Sequence, residues 1–370
     1  MDRQVSPDRC IFFNFIVKYL PSTPRNVKFG VSGVNLSTNV EHYSEVVDAV
    51  AKAEEVGFES AWFSDRTRDT YVNMTACALA TRRIRVAAGI ANPFTRHPAV
   101  TARAIASLDE VSGGRAILGI GAGNMVEMTR DMGFDTRRTY LRIKEAVVIM
   151  KKLLRGETVT LAGEFYSLSN VKLGFKGRSD VPIFIAGQGP KILETAGEVA
   201  DGAVVPYNDD KILAKVFQSI STGAGRVGRK AGDLDLVVWL PVYLTEGGSS
   251  FLETLRGYAA LMVLLSPQKW LEDVGVTEEI YETIKRGYAK GAHVDPKLEA
   301  EYAIRAKEYI TDRIVDTFLL VGSQADVVER IARLEKMGFK RFVVWTPSPV
   351  QSVKLRFLDD FATKIMTRLK

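Results

Sequence analysis

The feature that most narrows what this chain can fold into is a repeated alternation. Eight short apolar runs, at 28–33, 60–65, 84–92, 115–123, 181–189, 202–208, 234–245 and 341–347, are each followed by residues at helical spacing. Val46, Val47, Val50, Ala51 and Ala53 crowd one side of a helix predicted over 41–56, which Gly57 ends. Further helices are predicted over 72–82, over 98–111 with Pro98 in the first turn, and over 136–154, 190–200 and 210–229. Ser323 and Asp326 read as an N-cap and an acidic third residue of another helix, which ends near Gly338, and a last amphipathic helix closes the chain. Strand followed by helix, with no return to all-β or all-α, predicts an α/β fold, a (β/α)8 TIM barrel with insertions. An open doubly wound sheet more often splits into two halves joined by a linker, and the sequence shows no linker.

Residues 27–370 therefore read as a single barrel domain. The rhythm breaks twice: at 156–181, a small β-excursion with a glycine turn, and in a long helical region over 250–316, with a helical insertion at about 266–316. Residues 1–26 stand apart as an N-terminal extension. Their apolar stretch is short, is interrupted by Asn14 and Lys18, and is followed by no small-residue cleavage site.

A barrel places its site at the C-terminal ends of its strands. That directs attention to 32–35, 65–68, 89–96, 121–124, 187–190, Tyr207, Asn208 and Thr346. In "GIGAGN" (119–124) the glycines alternate like a phosphate-cradling loop. A dinucleotide fingerprint needs a glycine at the sixth position, an acidic residue about 20 positions later, and the first strand of its domain. Here the sixth position is Asn124, helix follows, and the run is the fourth. The glycines instead either let a flat ring or phosphate approach a strand end closely, or make a tight turn. Gly187, Gln188 and Gly189 precede Pro190 at a helix start, where free N–H groups suit an anion. Asp65 is either a site carboxylate or a cap for the next helix. Arg66 and Arg68 are solvated or hold an acidic tail, and His97 beside Arg96 reads as structural. Trp62, Trp239 and Trp345 read as core, and Trp270 lies in the helical insert, a candidate lid.

Composition excludes several classes. The net charge of +6 comes from intermixed Lys, Arg, Asp and Glu, so nucleic acid is not an expected partner and a mild attraction to anions is. Two cysteines and three histidines without ligand spacing make neither a disulfide framework nor a metal site, and they suit the cytoplasm. No segment is long and apolar enough to span a membrane.

Four segments carry a resemblance: "AEEVGFESAWFSD", "AGIANPFTRHPAVTARAIASLDEVSGGRAILGIGAGN", "VPIFIAGQGPKILETAGEVADGAVV" and "FLLVGSQADVVERI". In this order, and over nearly everything from Val27 onward, the chain resembles the luciferase-like flavin and deazaflavin oxidoreductases, most closely the coenzyme F420-dependent methylenetetrahydromethanopterin reductases. The resemblance implies a bacterial luciferase-like barrel, a homodimer or homotetramer, and F420 or, alternatively, FMN at the strand ends. It implies a non-proline cis peptide at Gly89–Ile90 behind the ring. The ring region would be formed by Asp65, Gly89, Ile90, Asn92 and Asn124, with Ala122 and Gly123 nearby, and the phosphate would lie at Gly187, Gln188 and Gly189. The implied reaction is hydride transfer from reduced deazaflavin to an electrophilic carbon, with a tetrahydropterin as a candidate substrate. An FMN-dependent monooxygenase and a non-catalytic cofactor-binding relative are the alternatives.

Three positions depart from the reductase pattern. Ser32 stands where the reductases carry a glutamate, Arg66 follows Asp65 where they carry histidine, and Asn124 stands where they carry aspartate. Each change removes a group that titrates usefully near neutral pH. Asp65, Asn124 and Ser32 are the candidate catalytic residues.

Overall fold

The computed structural model describes residues 27–65, 68–125, 127–245, 252–287 and 305–369. The extension 1–26 and the position of Arg66 lie outside the described residues. Eight parallel strands close into a barrel: β1 (Lys28–Ser32), β2 (Ser60–Phe63), β3 (Arg85–Ala91), β4 (Ala116–Gly121), β7 (Ile183–Ala186), β8 (Gly202–Val205), β9 (Asp235–Leu244) and β11 (Arg341–Trp345). Closure comes from β11, which pairs with β9 on one side and β1 on the other, and from the pairing of β8 with β9. Each of the eight apolar runs contains one of these strands, and the fold is a (β/α)8 TIM barrel. The strands are buried on both faces, which is why they read as near-continuous apolar runs rather than as alternating ones.

Two further pieces interrupt the alternation. An antiparallel hairpin, β5 (Val159–Ala162) and β6 (Ser167–Val171), precedes β7. The Glu145 carboxylate, on the helix Thr139–Leu154, accepts the backbone N–H groups of Glu164, Phe165 and Tyr166 and fixes the hairpin turn. Between β9 and β11 lie helices Leu252–Leu265, Gln268–Leu271, Glu278–Gly287 and Asp312–Phe318, then a short strand, β10 (Leu320–Gly322). β10 pairs with Val242–Leu244, the part of β9 that runs past the barrel. Sequence patterning did not single it out, because three residues are too few to show a period.

The caps follow the sequence closely. Ser323 and Asp326 form a reciprocal capping box at helix Gln324–Lys336. Helix Pro98–Ser112 ends at Gly113 in the left-handed region (φ 68°). Inside the barrel, Trp62, Ala87, Ile117, Phe184, Val204, Val237 and Val343 pack as a plug. The Trp62 ring meets Phe184 edge to face at 5.6 Å, and its N–H donates to Ser60 Oγ at 2.9 Å, so the one polar atom of the largest core side chain is satisfied. Trp270 is buried and packs 6.3 Å from the Tyr207 ring.

Candidate functional site

A cavity of about 1740 Å³ opens at the C-terminal ends of the strands. Trp239 and Ile90 contribute to its apolar lining, and helix Leu252–Leu265 supplies Tyr258, Leu261, Met262, Leu264 and Leu265. Ser32, Asp65, Gly89, Ile90, Asn92, Ala122, Gly123, Asn124, Gly187, Gln188 and Gly189 all line this one cavity. Trp345 also faces it, stacked edge to face on Tyr258 at 5.3 Å, so it serves the site as well as the core. His97 does not line the cavity. It caps helix Pro98–Ser112, its Nδ1 accepting from Ala99 N at 3.2 Å, and packs on Tyr166. Arg96 pairs with Asp69 and lies over Tyr71, and Arg68 lies over Tyr43.

Several of these residues are held by local geometry. The β3–β4 register shifts between Ala88 and Ala91, and the Gly89–Ile90 peptide within that bulge is cis. A side chain at Gly89 would collide with the Trp239 ring. Within "GIGAGN", a Cβ on Gly119 would collide with the Ala88 carbonyl oxygen, and one on Gly121 would lie 2.9 Å from the Ala186 carbonyl oxygen. These two glycines let neighbouring strands approach, so barrel closure already requires them. Gly123 differs: its φ of 66° is left-handed, and it turns the chain away from β4 into the cavity wall.

Asn92 ties the loops after β3 and β4 together. Its Nδ2 donates to Ala122 O at 3.3 Å and lies 3.0 Å from Met128 Sδ, while its Oδ1 accepts from Phe94 N at 2.8 Å. Gln188 is engaged in a similar way. Its Oε1 accepts from Ser266 Oγ at 2.7 Å and from Tyr207 OH at 3.3 Å, which anchors the end of the roofing helix to the loop after β7. Burial raises the Tyr207 phenol well above its usual range, so it stays a neutral donor. Gly189 is the N-cap of helix Pro190–Val199, and no side chain caps that helix. The backbone N–H groups of Lys191 and Ile192 therefore point out of the helix start as donors, beside a cavity that Lys191 itself lines.

Among the described residues Asp65 is the one carboxylate that lines the cavity. Its Oδ1 accepts Thr70 N at 2.8 Å, in the first turn of helix Thr70–Ala80, so site and capping readings coexist in one side chain. Burial among protein atoms raises its pKa, the nearby Asp69 charge adds to this, and the Thr70 N–H and Arg96 oppose it. Ser32 is buried, and its Oγ accepts Asn35 N at 3.3 Å, capping the short helix Gly33–Leu36.

Sequence reasoning missed Lys354. It lies on helix Gln351–Phe361 after β11, is buried, and lines the same cavity. A lysine in an amphipathic helix carries no sequence signal that separates it from a solvated one.

Fold and site together define a (β/α)8 barrel with a roofed, largely apolar mouth cavity that offers backbone donors to an anion at one side. The chain belongs to the luciferase-like monooxygenase family, whose profile matches residues 27–341. It is 32% identical over 350 residues to a 5,10-methylenetetrahydromethanopterin reductase of Archaeoglobus fulgidus, covering 93% of this chain and 100% of the relative. It is 26% identical to an F420-dependent glucose-6-phosphate dehydrogenase of Microbacterium testaceum, covering 88% of this chain and 94% of the relative. The solved structure of the coenzyme F420-dependent tetrahydromethanopterin reductase from Methanopyrus kandleri superimposes with a TM-score of 0.79 at 26% identity, covering 93% of this chain and 100% of that one.

Proposed function

We propose that the chain is an F420-dependent oxidoreductase acting on an electrophilic carbon, such as the iminium form of a methylene-tetrahydropterin. The observation that carries this reading is one cavity that combines an apolar floor, uncapped N–H donors and, among the described residues, a single carboxylate. Reduced F420, when bound, supplies the hydride. The chain's own residues bind, orient and exclude water. The backbone at Gly187–Gly189 and the N–H groups of Lys191 and Ile192 suit a phosphate. Ile90 and Gly89 offer a flat backing for a ring, and Asn92 holds the loops on either side of it. Trp239, Trp345 and Tyr258 keep the site apolar. Asp65, with its raised pKa, is the residue suited to hold a proton near the reacting centre, while Ser32 and Asn124 contribute hydrogen bonds without charge.

Titration of the purified protein with F420 and with FMN tests the reading. We expect saturable F420 binding and weak FMN binding. Tight FMN binding with no F420 affinity would replace this reading with the oxygen-using flavin chemistry that the family's name describes. F420 binding without turnover of any pterin or carbonyl acceptor would favour a non-catalytic relative. In the enzyme, Asp65→Asn should lower kcat by about 10²-fold or more, a larger effect than on F420 affinity. Ser32→Glu tests the substrate: a gain in methylene-pterin turnover supports a pterin, and no change argues for another acceptor.

The same reading includes self-association and a cytoplasmic location. Leu79 and Val111 are exposed on the adjacent helices Thr70–Ala80 and Pro98–Ser112, and Val72 and Val100 are exposed on the same pair. An apolar outer surface of this kind favours a homo-oligomer, and light scattering of Leu79→Glu against the parent protein reads it directly. No helix among the described residues is long and apolar enough to cross a membrane.

A further inference from the structure

The loop after β1 forms one wall of the cavity through Val34, Asn35, Thr38 and Asn39. It begins with the single-turn helix Gly33–Leu36, too short to be stable by itself. Two groups from outside that turn meet at Asn35. Ser32 Oγ accepts its N–H at 3.3 Å, and Lys354 Nζ donates to its carbonyl at 2.8 Å. The same Nζ donates to Thr38 O at 2.6 Å. Lys354 is 1% exposed, and it reaches these carbonyls from the helix after β11, more than 300 residues away in sequence. β11 and β1 are neighbours in the barrel, so the bond crosses the seam where the barrel closes.

We propose that Lys354 is a positioning residue, clamping the loop after β1 against the helix after β11 and thereby setting the acceptor-binding wall of the cavity. Several facts favour a clamp over a charge that meets the bound molecule directly. The side chain is almost wholly enclosed, and its N–H groups are directed to backbone carbonyls. Those carbonyls close the C-terminal end of a helical turn, where a cation or donor is favourable. Burial pushes the amine down to about 8, with Glu45 on helix Tyr43–Glu55 working the other way. A neutral amine keeps two N–H groups, enough for two carbonyls. The clamp therefore survives deprotonation, which a charge-based contact would not. The wall lies between β1 and β11, whereas the phosphate-suited loop follows β7, strands away around the barrel. Cofactor and acceptor affinities should consequently respond differently.

The kinetic half of the test rests on the proposed function, and the exchange half does not. Lys354→Met and Lys354→Arg are compared with the parent protein by hydrogen–deuterium exchange and by steady-state kinetics with reduced F420. In Lys354→Met the amides of Val34–Asn39 should exchange about tenfold faster, the barrel strands should be unchanged, and Lys354→Arg should restore most of the protection. The acceptor KM should rise about tenfold, with kcat and F420 affinity within about twofold of the parent. Should Lys354→Met fail to fold, Lys354→Gln, which keeps an amide donor, is read in the same way with a smaller rise. Unchanged exchange over 34–39 would overturn the clamp. So would an acceptor KM that climbs in the parent protein as pH passes 8, the sign of a direct charge contact. If the parent protein never turns over with F420, the proposed function fails while the exchange result still decides the clamp.

Discussion

At the N-terminal ends of its strands the barrel carries charges that meet partners inside the protein. At the C-terminal ends the groups that line the cavity are mostly neutral. Around the lower end, carboxylates receive the backbone N–H groups that lead into successive strands. Glu54 takes those of Arg82, Arg83 and Ile84 just before β3, Asp109 takes that of Ala116 in β4, and Asp201 takes that of Ile183 in β7. Arg341, buried at the start of β11, bonds to Asp235 at the start of β9 at 2.8 Å and to Glu59 beside β2. At the mouth backbone groups meet the Asn92 amide, the Ser32 hydroxyl, the Asp65 carboxylate and the Lys354 amine, and one helix starts without a side-chain cap. A lower end satisfied from within stabilises the barrel. A mouth with spare donors and, among the described residues, one carboxylate is suited to a ligand.

The sharpest way to break this contrast is at Arg341. Arg341→Met leaves Glu59 and Asp235 without their shared partner. Those carboxylates are about one third exposed (side chains 29% and 34%), which tempers the penalty. The loss should be about 3 kcal/mol, read as a lower midpoint in urea unfolding. F420 affinity of the folded protein should stay put. A variant that keeps its stability, or loses its cofactor instead, removes the division between the two ends.

Next in size is Gly119→Ala. Its methyl would press on the Ala88 carbonyl, one residue before the cis Gly89–Ile90 peptide. Overpacking at such a site costs about 2 kcal/mol, and here it also displaces the bulge that the proposed function sets behind the ring, so stability and F420 affinity should fall together. The joint loss sharpens the comparison, because at the mouth packing and binding share the same backbone. An effect on stability alone would show that the bulge and the ring site are independent.

The barrel was legible because eight strands buried on both faces leave eight apolar runs, and because caps such as Ser323 with Asp326 have fixed spacing. Strand ends mark the site by topology, so the cavity residues from Ser32 to Gly189 were legible as candidates. Their division of labour was not. Gly119 and Gly121 serve strand packing, and the side chains of Asn92 and Gln188 bond to other loops, facts that depend on neighbours distant in sequence. Lys354 was invisible for the same reason, since its partners Asn35 and Thr38 lie at the far end of the chain.

The smallest expected effect comes from one ionisable side chain at each end, whose charged form stabilises the fold at the lower end and costs stability at the mouth. Burial alone would raise the Glu54 carboxyl, but the N–H groups of Ile84, Arg83 and Arg82 outweigh it and hold the pKa below the usual range. A carboxylate depressed in the folded state contributes stability above its unfolded pKa of about 4.3 and loses it as pH falls through the folded value. Glu54→Gln should thus cost about 1 kcal/mol at neutral pH, and the difference from the parent protein should shrink in acid. At Lys354 it is the charged form that costs stability, although the trend with pH has the same sign. Its folded pKa of about 8 lies below the unfolded value, so the cost of burying its charge is present in full below pH 8. That cost is relieved as pH rises from there toward about 10.4, where the unfolded chain also loses its proton. Measured against Lys354→Met, the parent protein should gain stability over this alkaline window. Denaturant titrations at pH 4, 7 and 9.5 on both variants read the two trends side by side. A Glu54→Gln deficit that does not shrink in acid, or a parent protein that gains nothing over Lys354→Met in alkali, would mean that the two ends treat charge alike, and the contrast between them would fall.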